Sequence, residues 1–113
     1  MSKIHMKGQG KPDEISNYLS SEILSKGASM ELVDTANYRF DDAEIFVMVF
    51  EKYYFRNSSR ASLTVSVAGT PGEVQVDAIS SGAGQGILFR FSWGAEEKFV
   101  GLVESILREK NFV

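Results

Sequence analysis

The chain has 113 residues, 43% of them hydrophobic and 24% charged, with a net charge of −3. That size suits a single domain, taken as residues 1–113, and the composition is that of a globular protein with a packed core. The lack of cysteine excludes disulfides, thiolate catalysis and Cys-held metal. The acidic balance gives no general attraction to nucleic acid or to an anionic membrane.

Residues 3–8, KIHMKG, alternate polar and apolar and predict a short strand with Ile4 and Met6 on one face. Lys3, His5 and Lys7 interrupt any apolar stretch of a signal peptide. Gly8, Gln9 and Gly10 make a turn, and Pro12 opens a helix whose first turn holds Asp13 and Glu14, suited to the positive end of the helix dipole. Ile15, Tyr18, Leu19 and Ile23 form its apolar stripe, and Gly27 supplies a left-handed stop, so the helix is expected over 12–26.

Beyond Ala28 the period becomes two. Met30, Leu32 and Val33 suggest a strand, Asp41-Asp42 a turn, and residues 44–56, EIFVMVFEKYYFR, a long strand. Its longest apolar run, Ile45 to Phe50, is too short to cross a bilayer. Asn57-Ser58-Ser59 closes a hairpin. In RASLTVSVAG, Leu63, Val65 and Val67 share one face, and Gly69-Thr70-Pro71-Gly72 signals the next turn. EVQVDAIS alternates again. Residues 87–93, ILFRFSW, read as a sixth strand with Ile87, Phe89, Phe91 and Trp93 on one side, leading into a helix from about Gly94 to Lys110 with Gly94 as N-cap and Glu96-Glu97 in its first turn. The expected fold is α+β: an antiparallel meander of five to six strands with an N-terminal and a C-terminal helix packed on one face.

The long strand is apolar on both sides, with Ile45, Val47, Val49, Tyr53 and Phe55 at odd positions and Phe46, Met48, Phe50 and Tyr54 at even ones. Helices on one face cover only one of these rows. The even row is assigned to the second sheet face, with Leu88 beside it. An apolar strip left open there marks an interaction surface, rich in aromatics and adaptable Met. Phe46, Met48, Phe50, Tyr54 and Leu88 are therefore the expected homodimer interface. The alternative is a cavity between sheet and helices lined by Phe89, Phe91, Trp93 and Phe99, taking a small apolar ligand, with Gln75 or Arg90 as polar contacts.

Other constellations carry less. Gly82, Gly84 and Gly86 lack the G-x-G-x-x-G spacing, and no Lys-Ser or Lys-Thr pair follows them, so a hairpin loop outweighs a phosphate cradle. His5 is the one histidine and has no serine elbow near it. Asp41-Asp42-x-Glu44 lacks the alternation and glycine of an EF-hand. KYYFRNSSR, residues 52–60, mixes basic and aromatic residues, but one such hairpin in an acidic chain is weak ground for nucleic-acid binding. No nucleophile, base and oxyanion donor converge, so no catalytic residue, cofactor or metal is assigned and the reading leans away from an enzyme.

The run SSGAGQGILFRFSWGAEEKFVGLVESIL, with the N-terminal strand and Pro-capped helix, resembles a family of small bacterial proteins known as a domain of unknown function. The element order resembles helix-grip and TATA-binding-protein-like folds. The family resemblance implies no site residues and a bacterial, cytoplasmic setting; it is the acidic balance that argues against nucleic-acid or membrane partners.

Overall fold

The computed structural model describes residues 2–27, 29–54, 59–82 and 87–113, with the side chains of 54, 59 and 87–97 outside the description. Its elements are β1 (Ser2–Gly8), α1 (Pro12–Lys26), β2 (Met30–Phe40), β3 (Ala43–Tyr54), β4 (Ser59–Thr70), β5 (Glu73–Gly82) and α2 (Ile87–Arg108). The strands form one antiparallel-paired sheet in the order β1-β5-β4-β3-β2, so β1 and β2 are its two edges and α1 carries the chain between them. Strands β2 to β5 are a meander of hairpins, as their short turns require.

Helix α1 starts at Pro12, with Asp13 and Glu14 in its first turn and no side-chain cap from Lys11. Gly27 ends it in an extended conformation, φ −91°, rather than the left-handed one expected, and Ser29 takes the left-handed geometry instead. The glycine serves close approach: a Cβ there would lie 2.9 Å from the Ile23 carbonyl.

Residues 87–93 are helical, which corrects the expected sixth strand, and Gly94 lies inside α2 rather than capping it. Apolar residues at 87, 89, 91 and 93 satisfy the two-residue strand period, but the pairs 87/91 and 89/93 satisfy the i,i+4 helix spacing equally. Continuity with the helical pattern downstream decides it, since an interior glycine costs only about 1 kcal/mol. Glu96 and Glu97 accordingly fall in the helix interior, and its first turn holds no acid.

Both helices cover one face of the sheet. The core joins Ile15, Leu19 and Ile23 of α1 and Phe99, Val103, Ile106 and Leu107 of α2 to Phe50, Leu63, Val65, Val67, Val74 and Val76 of the strands. Each such side chain contributes about 1.5–3 kcal/mol on burial. Two buried hydroxyls are accommodated: Ser80 donates to the Ser62 carbonyl at 2.9 Å, and Ser16 Oγ lies 3.7 Å from Met48 sulfur. After α2 the chain turns at Asn111, φ 65°, and inserts Phe112 fully into the core against Gly8. Val113 and Lys7 then exchange two main-chain hydrogen bonds of 2.7 and 2.9 Å, which closes that part of the β1 edge.

Register assigns the faces of β3. Phe46 stands opposite Val67, Met48 opposite Val65 and Phe50 opposite Leu63, all on the helix-covered side. Met48 and Phe50 are buried there and Phe46 packs against the same core. This reverses the expected assignment. Both rows of β3 are apolar, so alternation within the strand could not choose between them; the hairpin register with β4 does.

Candidate functional site

The second sheet face is therefore built from the opposite parity. From one edge to the other it carries Lys3, His5 and Lys7 of β1, then Gln75, Asp77 and Ile79 of β5, and Ser62, Thr64, Ser66 and Ala68 of β4. Ile45, Val47 and Val49 of β3 and Asp34, Ala36, Tyr38 and Phe40 of β2 complete it. No described helix packs on this side. The face grades across the sheet from basic, through hydroxyl-rich, to an apolar strip beside an acidic edge.

At the basic side, His5 Nδ1 and Asp77 Oδ1 are 2.8 Å apart, both partly exposed. Antiparallel pairing sets them directly opposite, which is why they meet. In the middle, the Ser62 and Ser81 hydroxyls lie 2.9 Å apart. The third strip is different in kind. Ile45, Val47 and Val49 are only partly covered, while Tyr38 and Phe40 are 52% and 64% exposed. Large apolar side chains that open, adjacent in one strip, are the kind of patch that marks an interaction site.

Strand β2 bounds this strip and is an eleven-residue edge in which only Met30 is buried. Val33 is an extra residue: Leu32 pairs with Phe50 and Asp34 with Val49, so the register slips by one at a bulge. From Asp34 to Phe40 pairing is regular up to the two-residue turn Asp41-Asp42, with Asp41 at φ 56°. In such a hairpin the closing pair Phe40/Ala43 exchanges both bonds, so Thr35, Asn37 and Arg39 turn their main-chain groups to the open side. Thr35 confirms the parity, since its N–H donates to Asp34 Oδ1 at 2.8 Å rather than to a neighbouring strand. Asn37 donates a side-chain bond of 3.2 Å to the Ile45 carbonyl, and Arg39 meets Glu44 at 3.0 Å.

At the other end of the hairpin a hollow of about 550 Å³ is lined by Ser29, Met30, Glu31, Glu51, Tyr53 and Arg60. Arg60 binds Glu51 at 3.2 Å and lies 5.7 Å from the Tyr53 ring centre. Glu31 and Glu51 are cross-strand partners, so this hollow combines charged groups with Met30 and Tyr53, and none of the residues of the pocket expected from sequence lines it.

Of the residues expected to form that pocket, Phe99 packs into the core beneath α2. The side chains of Phe89, Phe91 and Trp93 lie outside the described residues, as do those of Arg90, Leu88 and Tyr54, and residues 55–58, Gly84 and Gly86. Gln75 sits on the face away from the helices, which removes it as a contact inside the core. Among the described residues, no group of three or more His, Asp and Glu could hold a metal. No helix among them is long and apolar enough to cross a membrane.

The model of the family of unknown function DUF6054 matches residues 1–111, from β1 to the turn after α2. The chain belongs to this family. None of the curated proteins compared with it matches. Membership extends over every element that builds the uncovered face, so that face is part of the family's domain rather than an appendage to it.

Proposed function

We propose that this family member is a non-enzymatic association module that forms a homodimer by packing two uncovered sheet faces against each other. The observation that carries the reading is the strip of Ile45, Val47 and Val49 flanked by exposed Tyr38 and Phe40, on the side opposite both helices. Packing against a second sheet about 10 Å away would remove that strip from water. Twisted sheets stack in this way with interdigitating side chains, and β-branched residues suit such a surface. The acidic character of β2 favours face-to-face over edge-to-edge pairing, because two copies of that edge would bring Glu31, Asp34, Asp41 and Asp42 together.

Light scattering after size-exclusion chromatography tests the reading. The wild-type chain should elute as a dimer at micromolar concentration, and Val47→Lys should yield a folded monomer. A wild-type monomer at several hundred micromolar would refute it. The alternative is a binder of small apolar molecules between sheet and helices. Of its expected lining only Phe99 is described, and it is packed into the core, so this reading needs a hydrophobic dye to stabilise the wild-type chain.

A further inference from the structure

We propose a second binding site at the β2 edge: it accepts an extended, lysine- or arginine-bearing segment of another protein as a sixth strand of the sheet. Two independent observations support it. The first is the row of main-chain groups on Thr35, Asn37 and Arg39 that faces outward along an exposed strand, a ready template for strand addition. Asp34 holds the Thr35 N–H with its own carboxylate, a local bond that an incoming carbonyl can replace.

The second observation is charge. Glu31 and Asp34 on the strand and Asp41 and Asp42 at its turn are all exposed. Among the described residues none of the four has a basic partner, whereas the strand's one cation, Arg39, is matched by Glu44 at 3.0 Å. The edge therefore presents net negative charge at its two ends, around the bulge and at the turn. That pattern repels a second β2 and attracts a basic strand.

The molecule's other edge does not suit the site. Lys3 and Lys7 give β1 the right charge, but the Lys7 main chain is already bonded to Val113, which shortens the free edge. A foreign basic segment meets both conditions. Tyr38 and Phe40, on the face beside the edge, offer apolar contacts to alternate side chains of the added strand. The main-chain contacts of the site use the edge and not the face, and the site shares only Tyr38 and Phe40 with the homodimer reading.

The probe is a synthetic peptide of about eight residues alternating Lys with Val, long enough to span Leu32 to Arg39. Its control replaces every Lys by Glu. The Lys peptide should bind at least about tenfold more tightly than the Glu peptide at low salt, and the difference should shrink as salt rises. On binding, the amides of Thr35, Asn37 and Arg39 should gain protection from hydrogen exchange. Thr35→Pro should abolish binding while leaving the sheet folded, because that N–H serves no ladder bond. Asp34→Lys should weaken the Lys peptide and strengthen the Glu peptide.

Equal affinity for the two peptides, no binding of either, or binding without protection at those three amides overturns the proposal. If Thr35→Pro changes the oligomeric state, the edge is occupied by another copy of the chain and the proposal fails in that way. Val47→Ser, which alters the face without adding charge, should leave peptide affinity unchanged.

Discussion

Phe112 and Gly8 should behave as one unit. The Phe112 ring is 1% exposed and occupies the space where a side chain on Gly8 would stand. Replacing Phe112 by Ala removes a buried aromatic and leaves a cavity, a change that costs about 3–5 kcal/mol. For a chain with roughly 5–15 kcal/mol in total, that is a fifth of its stability or more. Gly8→Ala alone should also destabilise, by about 1–3 kcal/mol, because the new methyl drives into the ring. In the Phe112→Ala background the same methyl enters the vacated space. Its cost should vanish, and the restricted unfolded chain should return about 0.5–1 kcal/mol. The coupling between the two changes is then about 2 kcal/mol or more. Urea denaturation followed by circular dichroism measures all four corners of this cycle. Effects that add to within about 0.5 kcal/mol would show that the two positions do not share space, and the tail's docking would be refuted.

Phe50→Asp should unfold the chain rather than dissociate a dimer, since Phe50 is fully buried beneath the helices; a folded monomer on chromatography would contradict that placement. Arg108→Ala breaks an exposed i,i+4 pair with Glu104 at 2.7 Å and should cost no more than about 0.5 kcal/mol in thermal melts. Burial and the neighbouring Glu109 and Glu22 carboxylates raise the Tyr18 pKa above its ordinary 10.0. The folded state then holds that proton more tightly than the unfolded chain does. The resulting stability is present below about pH 10 and is lost as pH rises through the elevated folded value. Ultraviolet titration should show a late tyrosine step that Tyr18→Phe removes.

The parts of the fold legible in the sequence are those where one signal had no rival. Pro12, Asp13, Glu14 and Gly27 bracket α1 at both ends. The alternation of Leu63, Val65 and Val67 against Ser62, Thr64 and Ser66 fixes the faces of β4 without any partner. The start of α2 was obscured because apolar residues at 87, 89, 91 and 93 fit both periods. For β3, two apolar rows left its faces undetermined, and the misplaced row carried the expected interface with it. The turn and tail at Asn111 and Phe112 have no periodicity to announce them. At β2, Met30, Leu32 and Val33 marked a strand, but the bulge at Val33 breaks the alternation, so the strand's length and its exposure as an edge became visible only through pairing with β3.

The position of β1 has a consequence for the order in which the chain is completed. This strand precedes the other elements in the chain, yet its neighbour is β5, with Ser2 opposite Ser80 and Gly8 opposite Val74. The bonds between Lys7 and Val113 join segments still further apart. The hairpins from β2 to β5 can zip locally and α1 can pack on them as they form, whereas β1 must wait for β5. Contacts between distant parts of a chain slow folding. During synthesis, β1 is thus held without its neighbour, a period in which Ile4 and Met6 are open to any chaperone that recognises apolar segments.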